Sequence, residues 1–291
     1  GAKGETAAQM KKVLGFEGSP AEVAATSGEL LRSLESPSRQ VTFRVANQLF
    51  ADQTFAVSTP FADQTQAAYG APIERLDFEN APEPARLHIN GWVEQRTEKR
   101  IKELIPPRAV NGAKLVLVNA IYFLGDWATP FTKEATRPAA FQRAESDKVD
   151  VPTMRQTAAF PYAKRDGVQA VELSYKGDDM SMLVLVPDAV DGLQALEESL
   201  DAKGLDALVE ALASERVDLS LPKFEIAPAN SLPLASHLIA LGMKDPFDCK
   251  KADFSGIGEG GLCISQVFHK GFIKVDEKGT EAAAASAVVT G

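Results

Sequence analysis

The chain has 291 residues, 45% of them hydrophobic, and its 31 basic against 40 acidic side chains give a formal net charge of −9. That length can bury a large core and no Pro/Gly/Ser-rich linker divides it, so residues 1–291 are expected to form one domain. The acidic balance argues against a nucleic-acid or anionic-membrane partner, and no apolar run approaches the ~20 residues needed to cross a bilayer.

In chain order, Thr6 reads as the N-cap of a helix that carries Ala7, Met10 and Leu14 on one face and stops at Gly15. A second helix is expected over Pro20 to Ser36. Val41 to Ala51 alternates, with Val41, Phe43, Val45 and Leu49 on one side and Asn47 interrupting that face, which predicts a half-buried strand. From Glu83 to Leu104 the residues Ile89, Trp92, Val93, Ile101 and Leu104 fall at helical spacing, and Pro106-Pro107 ends this amphipathic helix. Leu115 to Phe123 is apolar on both faces, the pattern of a central strand covered on both sides. Val168 to Tyr175 and Met180 to Pro187 flank Gly177-Asp178 as a hairpin. Leu193 to Ala213 reads as helix punctuated near Gly204, Val217 to Leu221 alternates into Pro222, and a helix from Leu234 to Leu241 ends at Gly242. A glycine-rich turn from Gly256 to Gly261 precedes the last long strand, Cys263 to Asp276. Helices mixed with hairpins and long crossovers predict an α+β fold.

The segment Glu277 to Gly291 is the least ordinary. Its Glu-Ala run reads as helix by propensity and as disorder for a loose terminus, yet it follows Gly279, whose freedom in φ suits a hinge. Cys249 and Cys263 are expected to be free, buried thiols. Little announces an enzyme. His88, His237 and His269 lie outside metal-ligand spacing of one another and of a cysteine pair, no Gly-X-Ser-X-Gly elbow occurs, and Gly256-X-Gly258-X-Gly260 lacks a strand-to-helix context. Neither a metal nor a cofactor is expected. The basic stretches Arg96 to Lys102 and Lys250-Lys251 read as solvated faces, with a polyanion-binding helix as the rival. On residue type alone His269 and Trp127 are core side chains, and Lys223 and Glu277 are solvated charges. Asn119, inside an apolar strand, must find a partner or cost a few kcal/mol.

The run Glu277-Lys278-Gly279-Thr280-Glu281-Ala282-Ala283-Ala284-Ala285 resembles the proximal hinge of the reactive-centre loop in inhibitory serpins. Asn119-Ala120-Ile121-Tyr122-Phe123-Leu124-Gly125-Asp126-Trp127, Leu221-Pro222-Lys223-Phe224, Leu241-Gly242-Met243, Ala252-Asp253-Phe254-Ser255-Gly256-Ile257 and Ile264-Ser265 leading to His269-Lys270 are similar to further signatures of that family in the same order. The resemblance therefore extends over essentially the whole chain. It implies three β-sheets, A, B and C, surrounded by helices. It also implies a non-enzymatic, metastable inhibitor of serine or cysteine proteases, acting as a suicide substrate whose cleaved loop enters sheet A. The partner would be the target protease and the inhibitor a monomer, with an extracellular location favoured. In these terms Glu277, Gly279, Thr280, Glu281 and Ala282 to Ala285 form the hinge. Asn119 and His269 belong to the shutter beneath the point where sheet A parts, and Trp127, Lys223 and Glu277 to the breach where the loop first enters.

By the same resemblance Gly1 to Met10 matches an internal stretch, so the first helices and any targeting segment are expected to be absent, and the scissile bond should lie beyond Gly291. If the loop is cleaved, Thr280 to Val289 should be a strand in the middle of the main sheet, antiparallel to its neighbours. Lys99-Arg100 stands where the family often has Gly-Lys, so the amphipathic helix is expected to run through. Alanine-rich composition without a sequon or a cysteine framework points to a prokaryotic source. The rival functions are a non-inhibitory serpin, a chaperone or ligand carrier that would usually have a bulky or charged hinge, and more distantly a hydrolase.

Overall fold

Side-chain caps open some of the helices and not others. In the computed structural model, which describes residues 1–36, 39–144 and 147–291, α1 (Gly4–Val13) begins ahead of Thr6. Thr6 is therefore not its cap: it is buried inside the helix, and its hydroxyl accepts the Asp253 amide at 2.9 Å. α2 (Pro20–Leu34) opens on a reciprocal Ser19–Glu22 capping box, and α3 (Thr59–Tyr69) closes on Gly70 at φ 58°. α4 (Pro82–Arg96) stops eight residues short of Leu104. Thr97 holds the Val93 carbonyl at 2.8 Å and accepts the Ile101 amide at 3.1 Å, while Glu98 and Lys99 turn to positive φ. The expected run through Lys99-Arg100 is thus overturned, although Ile101 and Leu104 still reach the core from an irregular strap. The single helix expected from Leu193 divides into α5 (Leu193–Ser199) and α6 (Ala202–Glu210), because Asp201 caps the second through the Gly204 amide at 2.7 Å. α7 (Ala235–Ala240) is a short final helix.

The first strands, β1 (Thr42–Asp52), β2 (Ile73–Leu76) and β3 (Leu115–Asp126), enter the larger sheet. A smaller sheet follows from β4 (Arg137–Ala144), β5 (Asp147–Arg165), β6 (Val168–Ser174), β7 (Ser181–Pro187) and β8 (Ala213–Pro222), with order β4-β5-β6-β7 and β8 on β5. The chain then returns to the larger sheet with β9 (Phe224–Ile226), β10 (Leu232–Pro233), β11 (Ile264–Val275) and β12 (Gly279–Thr290). Its order is β10-β11-β12-β3-β1-β2, with β9 also on β11, and only the β1–β2 pair is parallel. The fold is α+β as expected, and the described residues form two sheets where the resemblance implied three.

One core lies between the larger sheet and α4, around Phe50, Phe78, Ile89, Val93, Leu104 and Phe272. A second joins the two sheets through Trp127, Met154, Tyr175 and Val275. The Gly256–Gly261 turn folds the chain back so that Cys249 and Cys263 meet in a disulfide, Cα–Cα 4.8 Å, which corrects the expectation of free thiols. Among the described residues no three His, Cys, Asp or Glu side chains cluster as metal ligands, and no helix is long and apolar enough to cross a membrane.

Candidate functional site

The hinge-like segment is a strand at the centre of the larger sheet. β12 pairs antiparallel with β11 from Val275↔Thr280 to Ile264↔Thr290, and with β3 from Asp126↔Gly279 to Leu115↔Thr290. Ladders on both sides satisfy its backbone, and this tertiary pairing overrides the helical propensity of four consecutive alanines. Ala283, Ala285, Ala287 and Val289 are buried in the core beneath α4. Thr280 is buried on the strand too, whereas Ala282, Ala284, Ser286 and Val288 are half-buried. Gly279 is required for closeness rather than for hinge freedom: its φ is not left-handed, and an added Cβ would collide with the Gly125 carbonyl and sit 2.8 Å from Asp126 Cα. The Thr280 hydroxyl is buried without a hydrogen-bond partner of good geometry, close as the Tyr175 phenol lies.

Just before the strand, Glu277 is gripped from three sides. Lys223 Nζ donates to Oε2 at 2.7 Å, Thr136 Oγ1 donates to Oε1 at 2.9 Å, and the Phe131 amide donates to the Glu277 carbonyl at 3.0 Å. Burial works against the charge, but the hydrogen bonds from Lys223 and Thr136 outweigh it and hold the carboxyl below its usual range. The Glu277 side chain is 8% exposed and that of Lys223 37%, so solvent limits the ion pair to about 1 kcal/mol. Trp127 stacks on Tyr175 at 4.8 Å and donates its indole N–H to the Asp276 carbonyl at 2.9 Å, while its backbone amide donates to the Lys278 carbonyl. Lys278 and Lys176 both pair with Asp126.

Midway along the strand, a polar row crosses the sheet. His269, Ser286, Asn119 and Asn47 are register partners on β11, β12, β3 and β1. His269 Nδ1 lies 2.8 Å from Ser286 Oγ, Asn119 Nδ2 donates to Asn47 Oδ1 at 2.9 Å, and Asn47 donates to the Tyr69 carbonyl at 3.3 Å. Ser286 is a partner that residue-by-residue reading missed. The available signal was its period-2 relation to Thr280, Ala282 and Ala284, which puts it on one face. The His269–Ser286 contact is no nucleophile–base pair of the usual kind, since Ser286 sits mid-strand with ladders on both sides and no nucleophile elbow.

The pairing of Glu281, expected only as a hinge residue, with Arg100 is the second missed feature. Glu281 accepts Arg100 Nε at 2.7 Å and Nη2 at 2.6 Å, and Tyr122 donates its hydroxyl to Oε1 at 3.0 Å. Burial, and then the bond to Glu281, push the Tyr122 phenol up to about 12. Arg100 belonged to a basic stretch read as a solvated face, and nothing local announces a partner 181 residues away.

Comparison with known proteins agrees with this geometry. The family profile described as Serpin (serine protease inhibitor) matches residues 1–291. Serpin B3 of Homo sapiens is 40% identical over 310 residues, covering 99% of this chain and 79% of its own length. The leukocyte elastase inhibitor of Equus caballus is 39% identical over 297 residues, covering 99% and 78%. Among solved structures, cleaved Serpin 42Da superimposes with a TM-score of 0.92 at 34% identity, covering 99% of this chain and 78% of that one. A loop-inserted structure of a cleaved ovalbumin mutant gives 0.93 at 28% identity, covering 100% and 80%. These relatives include human and horse proteins and lend no support to a prokaryotic source. With the profile matched from end to end and relatives near 40% identity across nearly all of it, the chain belongs to the serpin family.

Proposed function

We propose that the chain is a suicide-type inhibitor of serine proteases, with cysteine proteases as the alternative class of target. A protease attacks the reactive loop and forms an acyl-enzyme, and the loop enters the larger sheet before the ester is hydrolysed. The carrying observation is that Gly279–Thr290 fits as a full central strand with ladders on both sides. Four side chains of this strand are buried toward α4, and three of them are alanine. Small side chains keep the barrier to insertion low, which decides a race against deacylation. A chaperone or carrier role would tolerate bulk there, and no observation favours it.

On this reading Glu277, Gly279, Thr280, Glu281 and Ala282 to Ala285 are the moving hinge of a single serpin domain. Trp127, Lys223 and Glu277 form the latch at the breach. Asn119 and His269 are shutter residues, to which we add Asn47 and Ser286. A polar row suits that place because hydrogen bonds can be exchanged between two sheet arrangements, whereas close-packed hydrocarbon cannot part without voids. The inhibitor would act alone, without cofactor, as a monomer.

The test is to incubate the full-length protein with a panel of serine proteases, an elastase among them, and a papain-like cysteine protease. At least one should yield a complex that survives boiling in detergent, and loop cleavage should raise the unfolding temperature. Clean cleavage by every protease, with no trapped complex, overturns the inhibitory mechanism.

A further inference from the structure

We propose that Arg100 receives the incoming hinge by reading the carboxylate of Glu281, and so sets the register of the inserted strand; this rests on the loop-insertion reading. Arg100 lies on the strap between α4 and β3, and the strap is pinned on either side of β12. Glu98 pairs with Arg44 on β1 at 2.7 Å, and Lys270 on β11 donates to the Lys102 carbonyl at 2.8 Å. The Arg100 amide also donates to the Thr97 carbonyl at 2.9 Å, and its guanidinium lies 5.1 Å from the centre of the Phe272 ring. None of these contacts involves β12. With β12 in the sheet, the fork is thus oriented by groups other than the strand it receives.

The sequence supplies the need for such a reader. Ala282 to Ala285 are four identical side chains, so the middle of the hinge cannot distinguish its own register. A slip of two residues keeps every side chain on its proper face and displaces Glu281 by about 6.6–7 Å, beyond reach of the guanidinium. Beyond that charge, toward the far end of the strand, the same face is apolar at Ala283, Ala285, Ala287 and Val289. The two-point Arg–carboxylate contact, with the Tyr122 hydroxyl as a third donor, admits one alignment only. Because Glu281 follows Gly279 and Thr280 into the sheet, the contact forms early and acts on the rate of insertion as well as on the final state.

The test is a double-mutant cycle in the full-length protein with Arg100→Gln, Glu281→Gln and the pair, plus Arg100→Lys. Two quantities are read: the ratio of trapped complex to cleaved product, and the denaturant midpoint of the loop-cleaved form. Each Gln variant should lower the ratio about tenfold, equivalent to about 1.4 kcal/mol on the insertion barrier. The double variant should be no worse than either single one, and Arg100→Lys should recover only part of the loss because a point charge cannot make the fork. Losses that add independently, or no loss in either readout, overturn the assignment of Arg100 while leaving the inhibitory reading intact. If the parent traps no protease, the inhibitory reading fails, and coupling in the denaturant midpoint alone still decides whether Arg100 reads Glu281. Should Arg100→Gln fold poorly, the Glu281→Gln and Arg100→Lys variants decide by the same two readouts.

Discussion

The two ends of the segment from Glu277 to Val289 are held by different physics. From Glu277 to Glu281 the grip is polar and directional: Lys223 and Thr136 on Glu277, Arg100 and Tyr122 on Glu281, and a glycine pressed against the Gly125 carbonyl between them. From Ala283 to Val289 the grip toward α4 is hydrocarbon alone, with Phe268, Phe272 and Val118 as neighbours in the same cluster. Burial of small apolar groups is non-directional and favours insertion without caring about alignment. Charge-assisted bonds are directional and fix position. The proximal end therefore specifies where the strand goes, and the distal end makes it worth going.

The most severe break of that division is Thr280→Arg, which forces an unpaired charge into a dry position at a cost of several kcal/mol. Each 1.4 kcal/mol slows insertion about tenfold, so on gels the trapped complex should vanish while cleaved product rises. A parent-like yield of complex would exclude insertion through this hinge. Gly279→Ala comes next. Its methyl group meets backbone that cannot move aside, so the loop-cleaved form should lose about 1–3 kcal/mol in denaturant unfolding; an unchanged midpoint would show that the strand stops short of Gly279.

Glu277→Gln sharpens the comparison through pH. The folded pKa of Glu277 is depressed, so its contribution is fully present above the unfolded value near 4.3 and is lost as pH falls through the lower folded value. The parent should lose stability across that acidic window, and the variant should show less of that slope and lie about 1 kcal/mol lower at neutral pH. Identical acid profiles would remove the latch. The smallest effect belongs to Thr280→Val, which replaces a buried, unpartnered hydroxyl by a methyl group of the same shape. The loop-cleaved form should be unchanged or up to about 1 kcal/mol more stable, with trapping intact; a clear loss would mean that the hydroxyl is bonded after all.

The sequence by itself determined the α+β class, the apolar central strand at Leu115, the family and the residue types of the hinge. These are legible because period-2 alternation, turn residues and a motif of glycine, threonine and small side chains are local signals. It also singled out Asn119 as a polar group in need of a partner, whereas His269 read as a core side chain and Lys223 and Glu277 as solvated charges until the family resemblance placed them in the sheet. Only the tertiary structure decided which partners they have, because register places residues far apart in sequence opposite one another: Ser286 beside His269, Arg100 beside Glu281, and Cys249 beside Cys263. It likewise ended α4 at Arg96, where Thr97 bonds to the chain on both sides and the apolar spacing of Ile101 and Leu104 is met by a strap. The alanine run is the plainest case. Its helical propensity amounts to only a few tenths of a kcal/mol per residue, and ladders from β3 and β11, which pair each of the four alanines on both sides, outweigh it.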